Sequence, residues 1–251
     1  MLAVVSALET EIRRVLDLLP HWEQWEEGEV QFYRSPEHRL LLCLSGMGRS
    51  GVEPAIRALV RHRPRLLVST GFVAALEEGL RPGVLVAPEQ VYLLEAGGGG
   101  VIRVGPALEV DALWLAFCQH ALGSSLRVVP GAITVEQVLV APQEKRRLGL
   151  ATHAAIADME SYWVGLVARA AGIPFVVVRV VVDTVHHTLP PFLKGYKGGS
   201  LERAVLRWAL TRPGWWPRLW RLREAVARAQ NRLGRGILAL AAAWEAQREA
   251  A

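Results

Sequence analysis

The clearest signal in the hydrophobic pattern is a nearly unbroken apolar run. From Phe175 to Val182, after Pro174, the positions are β-branched or aromatic, interrupted by Arg179, and the run ends at Asp183. A strand without polar alternation is buried on both faces, as in a parallel sheet covered by helices. The same reading along the chain predicts strands over 1–7, 39–45, 65–70, 83–88, 127–134, 154–158 and 174–183. Helices are predicted over 9–19, 50–62, 108–122, 143–150 and 159–172. Strands interleaved with helices predict an α/β, three-layer fold with a mixed central sheet, and a helical appendage follows at the C-terminus. No internal repeat is present. The run Ala96-Gly97-Gly98-Gly99-Gly100 has no lysine or helix start after it, so it reads as a loop rather than a phosphate-gripping motif.

Composition alters this picture in one place, the tail. The chain has 251 residues, 51% of them hydrophobic, which is enough for a sizeable core. Its net charge of +5 is unevenly spread: residues 201–251 hold ten arginines and four glutamates, while residues 1–200 are nearly balanced. Five of the nine tryptophans, at 208, 215, 216, 220 and 244, also lie in the tail. The expected division is therefore an α/β domain over 1–200 and a basic, Trp-rich amphipathic helical tail over 201–251. On a helix over 218–244, Arg218, Arg221, Arg228, Arg232 and Arg235 fall within an arc of roughly 100°, and Leu219, Leu222, Val226, Leu233, Ile237, Leu240 and Trp244 within about 60°. Such a helix packs on the domain or a subunit, or lies on an anionic membrane surface. Nucleic acid is not an expected partner, since the tail has no lysine and no binding fold accompanies it.

Cys43 and Cys118 lack metal-ligand or redox spacing and read as small core residues. His186 and His187 have no further ligands at plausible spacing, so no metal is expected. Without a signal-peptide pattern or a long charge-free apolar run, the expected location is cytoplasmic, with a peripheral position at the inner face of the membrane if the tail binds there.

Candidate chemistry sits where strands end, because ligands of α/β sheets bind at the carboxyl ends of the strands. Asp158, Met159 and Glu160 end one strand and Asp183 another. Glu9 and Glu11 open the first helix, where acids are also favoured by the macrodipole alone. Ser45-Gly46-Met47-Gly48-Arg49 could bring backbone N–H groups and a cation to an anion, which makes Ser45, Gly46 and Arg49 anion-binding candidates. Ser69-Thr70-Gly71-Phe72 is a further close-approach segment.

The segments Ala7-Leu8-Glu9-Thr10-Glu11, Ser45-Gly46-Met47-Gly48, Ser69-Thr70-Gly71-Phe72, Asp158-Met159-Glu160-Ser161 and Val182-Asp183 resemble, in order and spacing, the motif set of the nucleoside phosphorylase and methylthioadenosine/adenosylhomocysteine nucleosidase superfamily over about residues 1–193. With Leu189-Pro190-Pro191 they most resemble its hopanoid-associated branch, whose expected substrate is adenosylhopane. The resemblance implies cleavage of an N-glycosidic bond in a 5′-substituted adenosine with release of adenine. It implies Asp183 at N7 of the base, Glu11 as the activator of water, Glu160 on the ribose hydroxyls and Met159 against the sugar. Asp158, Phe72, Gly71 and Val182 would complete the substrate site. It implies no cofactor, with phosphate open as a co-substrate, and a homo-oligomer.

Four departures bear on the substrate. Phe72 replaces a serine of the small nucleosidases, Ala74 and Ala75 replace glycines, Val182 replaces a serine before the catalytic aspartate, and Asp158 replaces a glutamate. Phe72 would suit an apolar substrate. The alternatives are a soluble methylthioadenosine/adenosylhomocysteine nucleosidase or purine nucleoside phosphorylase, and a non-catalytic nucleoside-binding module.

Overall fold

A computed structural model describes residues 1–95, 102–196 and 201–249. Strands β1 (Leu2–Ser6), β4 (Leu40–Leu44), β5 (Leu66–Ala75) and β11 (Phe175–Asp183) form the parallel heart of the sheet. Beyond β11 lie β6 (Leu85–Glu95), β9 (Leu126–Thr134) and β10 (Ile156–Asp158), and β10 also pairs antiparallel with the end of β5. The strands β5, β11, β6, β9 and β10 thus close into a ring. From β5 the sheet extends outward through β1 and β4 to β3 (Val30–Ser35) and β2 (Glu23–Glu27). Two short strands, β7 (Arg103–Val104) and β8 (Leu108–Glu109), pair with β6. The helices are α1 (Glu9–Leu18), α2 (Gly48–Val60), α3 (Ala112–Leu122), α4 (Pro142–Thr152), α5 (Ser161–Ala170), α6 (Leu201–Leu210) and α7 (Trp216–Glu249).

The expected α/β architecture with a mixed, helix-flanked sheet is present, with local differences that have physical causes. The hairpin β2–β3 was not predicted, because Glu23-Gln24-Trp25-Glu26-Glu27 reads as a charged segment. It is an edge hairpin with one solvated face, whose buried side carries Phe32 stacked on Trp25 at 5.3 Å. β5 continues past the predicted strand end at residue 70 because β10 and β11 pair with its end. Residues 108–109 form β8 rather than helix, and Asp111 then caps α3 by accepting hydrogen bonds from the N–H groups of Leu113 and Trp114. The glycine run 96–100 lies outside the described residues.

For the tail, the sequence left packing on the domain and lying on a membrane both open. α7 packs against α1, α3 and β11. Ala229, Leu233, Ile237, Leu240 and Trp244 are buried in the main core, with Trp244 against Trp114 and Phe117. Gly234 sits where helix and helix touch: a Cβ there would lie 2.8 Å from the Arg14 side chain. The change of composition at residue 200 therefore does not mark a change of core. The apolar stripe expected over 218–244 is covered by the domain from Ala225 onward and cannot also face a membrane. Before that point the stripe residues Leu219 and Leu222 are half-buried, and Trp216 and Trp220, off the stripe, are more than half exposed. Among the described residues no helix is long and apolar enough to cross a membrane.

Candidate active site

The ends of β1, β5, β10 and β11 converge on one cavity of about 190 Å³. Glu11, Asp158, Glu160 and Asp183 all line it, together with apolar groups such as Met47, Phe72 and Val182. Each of the four acids is at least nine-tenths buried.

Glu11 is drawn inward by the turn between β1 and α1, whereas Glu9 remains exposed and pairs with Arg13. One carboxylate oxygen of Glu11 accepts hydrogen bonds from the Ser6 hydroxyl (2.6 Å) and the N–H groups of Ala7 (3.2 Å) and Leu8 (3.0 Å). The other accepts from the N–H of Phe72 at 2.8 Å. That last contact needs Gly71: its φ of +141° disfavours any side chain, and a Cβ would lie 2.5 Å from Arg179 Nη1 and 2.7 Å from Glu11 Oε1. The backbone of β5 is thus pressed against the carboxylate it holds.

On the opposite side, Arg179 is fully buried and joins the acids into one network. It donates to the Thr70 carbonyl (2.8 Å) and to the hydroxyls of Ser69 and Ser161 (both 3.0 Å). It lies 3.2 Å from Asp158 and 3.6 Å from Glu160. Asp158 lines the cavity, yet both its oxygens are already engaged, by Thr134 (2.7 Å), by Ser161, by Arg179 and by the N–H groups of Glu160 and Ser161. This carboxylate anchors Arg179 and the turn into α5 rather than reaching a ligand. Glu160 accepts the N–H of Gly48, at 3.2 Å, at the start of α2. Burial pushes its pKa up to about 7, with Asp158 and Glu11 adding to the rise and Arg179 opposing it.

Asp183 owes its aim to a β-bulge. The register of β11 against β5 slips between Val181 and Asp183, so Val182 and Asp183 both reach the cavity. Its Oδ2 is paired with the buried ammonium of Lys145, which also donates to the carbonyls of Thr184 (3.1 Å) and His187 (2.8 Å). Its Oδ1 accepts no hydrogen bond and has the His187 ring nitrogen 3.6 Å away. Burial raises the Asp183 pKa to about 6 against the opposing pull of Lys145. A cavity-lining carboxyl with one oxygen fixed and the other without a hydrogen bond, protonated in weakly acidic solution, is equipped to give a proton to a ligand.

The structure brings the sequence candidates Glu11, Phe72, Asp158, Met159, Glu160, Val182 and Asp183 to one cavity, with Gly71 packed behind Glu11 rather than lining it; sequence reasoning did not find Lys145, Thr134 or the role of Arg179. Lys145 lies in the run Glu144-Lys145-Arg146-Arg147, which looks like a solvated face, yet it shares a helix face with buried Leu148. Arg179 was visible as the one charge inside an apolar strand, and such a charge must be paired. The anion-binding candidates are elsewhere. Arg49 pairs with Glu53 (2.7 Å) and lies over Trp163 (4.6 Å), and Ser45 lines a separate cavity with Gly28 and Arg61. Gly46 lines none of these cavities.

Arg49 and Trp163 belong to a larger cavity of about 760 Å³ that shares Met47, Val135 and Met159 with the acid-lined one. Among the described residues no cluster of His, Cys, Asp and Glu has the arrangement of a metal site.

The comparisons with known proteins bear on the fold and the family. The chain is 21% identical over 196 residues to the 5′-methylthioadenosine/S-adenosylhomocysteine nucleosidase of Staphylococcus saprophyticus, a match spanning 73% of this chain and 86% of that protein. Its fold is similar to the crystal structure of the nucleosidase of the same name from Neisseria meningitidis in complex with methylthio-immucillin-A, with a TM-score of 0.72 at 16% identity over 95% of this chain and 97% of that one. It is also similar to the futalosine hydrolase of Helicobacter pylori, with a TM-score of 0.73 at 14% identity over 95% and 96% of the two chains. The family model of the phosphorylase superfamily matches residues 1–194, the span that carries every acid of the site. The chain belongs to the phosphorylase superfamily.

Proposed function

We propose that this protein hydrolyses the N-glycosidic bond of a 5′-substituted adenosine and releases adenine. The observation that carries this reading is Asp183, buried, with one oxygen on Lys145 and the other without a hydrogen bond, in the lining of a cavity that Glu160 and Glu11 also line. Breaking a ribosyl C–N bond builds positive charge on the sugar and negative charge on the base. In the proposed reaction Asp183 protonates N7 as the bond from C1′ to N9 breaks, and the electron pair of that bond leaves with the base. Glu160 holds the ribose hydroxyls, and Glu11 takes a proton from the water whose oxygen bonds to C1′. General acid assistance of this kind is worth about 10²–10⁴-fold.

Two features support water over phosphate as the acceptor. The buried carboxylates repel a phosphate anion, and the buried Arg179 is already surrounded by Asp158, Glu160, Ser69 and Ser161. Arg49, the remaining candidate, is engaged by Glu53 and Trp163.

The 5′ substituent is read from the adjoining cavity. It opens past Met159, on the sugar side, and contains Leu93, Leu94 and Trp163, which support an apolar group and with it the adenosylhopane assignment. Its rim also carries Arg49, Glu53, Glu95 and Glu136, which favours a second reading, a polar amino-acid substituent such as that of S-adenosylhomocysteine. Adenine release, followed by chromatography with mass detection, from detergent-dispersed adenosylhopane, adenosylhomocysteine and methylthioadenosine, each with and without phosphate, tests both. Phosphate-independent release with preference for adenosylhopane is expected; preference for the water-soluble substrates would establish the second reading. The Asp183→Asn variant should fold and lose release by about 10²–10⁴-fold; undiminished release would remove the assignment. No adenine from any substrate would leave a nucleoside-binding module.

A peripheral position at an anionic membrane is also proposed, with contact made by residues 207–223. It is supported by the exposure there of Leu210, Trp216 and Trp220 beside Arg207, Arg212, Arg218, Arg221 and Arg223.

A further inference from the structure

The start of α7 and the loop after Asp183 enclose another cavity, of about 210 Å³. Arg218, Arg221, His186, His187 and Thr188 supply its polar lining, Leu219 and Leu222 are among its apolar walls, and among the described residues no acidic side chain lines it. Arg221 donates through Nε to the Pro217 carbonyl at 3.3 Å, which steadies the guanidinium, and Arg218 lies over the Trp215 ring at 4.9 Å. The positive potential is felt by His187, whose pKa is lowered by burial and then by Lys145, Arg221 and His186. His186 itself is paired with Glu78, outside the cavity, at 2.7 Å. Two guanidinium forks over apolar walls match a phosphate ester attached to a hydrocarbon.

The surroundings specify which phosphate ester. Trp216 is 57% and Trp220 61% exposed, and Arg223 lies over the Trp220 ring at 5.3 Å. Over residues 207–224 the chain carries five arginines against the one acid, Glu224. Exposed tryptophans beside arginines sit favourably at the headgroup level of a bilayer, where each cation near an anionic surface adds to binding.

We propose that this cavity is a binding site for the phosphate of anionic phospholipid headgroups, seated on the bilayer by the exposed tryptophans of residues 207–223. The inference deepens the peripheral position proposed above and rests on it, but is independent of the reaction assigned to the chain. It also gives the membrane contact a place relative to the chemistry. Leu189 lines both this cavity and the acid-lined one, and the His187 carbonyl holds Lys145. A headgroup bound here would lie beside the base end of the nucleoside site.

The test is cosedimentation of the full chain with vesicles of phosphatidylcholine alone and of phosphatidylcholine with phosphatidylglycerol, at physiological salt. Arg218→Ala/Arg221→Ala is compared with Arg232→Ala/Arg235→Ala, which removes the same charge from the same helix about 20 Å further along. Thermal melts of both variants verify the fold. Binding only to the phosphatidylglycerol vesicles is expected, weakened about 30-fold by the first pair and within two- to threefold of wild type for the second. Equal weakening by both pairs would overturn the site, leaving only diffuse charge attraction, as would failure of the wild type to bind these vesicles. A rise in melting temperature with soluble glycerol phosphate, lost in Arg218→Ala/Arg221→Ala and without vesicle binding, would overturn the lipid in favour of a free phosphate ester. Adenine release from methylthioadenosine, measured on the same preparations, reports separately on the reaction.

Discussion

Replacing Lys145 by Met keeps most of the side chain's length and removes its charge, so it isolates what the buried ammonium does for Asp183. The ammonium is paired with Oδ2 and held by two backbone carbonyls, at 3.1 and 2.8 Å. An adjacent cation typically lowers a carboxyl pKa by ~1–3 units. Without it, the Asp183 pKa should climb from about 6 to roughly 7–9. A weaker acid, free to rotate away from the base, should lower kcat about 10–100-fold, a part of what general acid assistance contributes. The decisive readout is the pH profile of kcat/KM for adenine release: the alkaline fall should move up by ~1–3 units. Stability should respond in the same window. Asp183 has a folded-state pKa above its unfolded one, so the ionised group destabilises the fold, and the penalty stops growing once pH exceeds the folded pKa. In the wild type growth stops near pH 6; in Lys145→Met it continues to the higher value. The variant's deficit in urea melts should therefore open above pH 6, at ~1.4 kcal/mol per pH unit, and close below it. A lowered kcat with an unmoved alkaline limb would refute this account and reduce Lys145 to a packing residue.

Three further outcomes follow from the same geometry. In the proposed reaction Glu160 must be ionised to accept the ribose hydroxyls and Asp183 protonated to serve the base. With pKa values of about 7 and 6, kcat/KM should be bell-shaped with limbs near those values, which belong to the pair. Glu160→Gln should leave only the fall above pH 6, and a wild-type profile flat from pH 5 to 8 would contradict the assignment. Gly71→Ala forces a Cβ within 2.7 Å of both Arg179 and Glu11, so it should both lower the melting temperature and impair adenine release; a variant with wild-type melting and rate would show that β5 yields there freely. Arg179→Met strands Asp158 and Glu160 without their cation and should cost about 3–5 kcal/mol in denaturant unfolding, and a loss under 1 kcal/mol would mean that the acids take up protons without strain.

How much of this was readable in the sequence depended on whether a residue's environment is set locally. The apolar run of β11 announces a buried strand, and Asp183 at its end announces a site, because both facts are properties of a few adjacent residues. Lys145 could not be found that way. Its neighbours in sequence are charged, and its burial comes from the loop after β11 folding over α4 to present two carbonyls and a carboxylate. The tail shows the same limit in reverse. Its arginine and leucine stripes are real, but periodicity says only that one face is apolar, not what covers it. Past Ala225 the cover is α1, α3 and β11; before it, Trp216 and Trp220 remain open. The edge hairpin β2–β3 escaped notice because its solvated face dominates the pattern, and Phe32 on Trp25 is visible only once the strands pair.

The site gains coherence when its charges are considered together. Four buried carboxylates face two buried cations, Arg179 beside Asp158 and Glu160, and Lys145 beside Asp183. Fully ionised, the cavity would hold an excess of negative charge, and Glu160 and Asp183 respond with raised pKa values, near 7 and 6. A neutral nucleoside relieves nothing in this arrangement. In the proposed reaction a sugar gaining positive charge would, because it would give Glu160 and Glu11 a partner at the moment the glycosidic bond stretches, while proton transfer from Asp183 would leave a carboxylate already matched by Lys145. The surroundings are thus complementary to the separated charges of bond cleavage rather than to the bound substrate, which is the condition for lowering a barrier instead of merely binding. The same excess would act against a phosphate dianion, so the electrostatics that favour the cationic sugar also favour water as its acceptor.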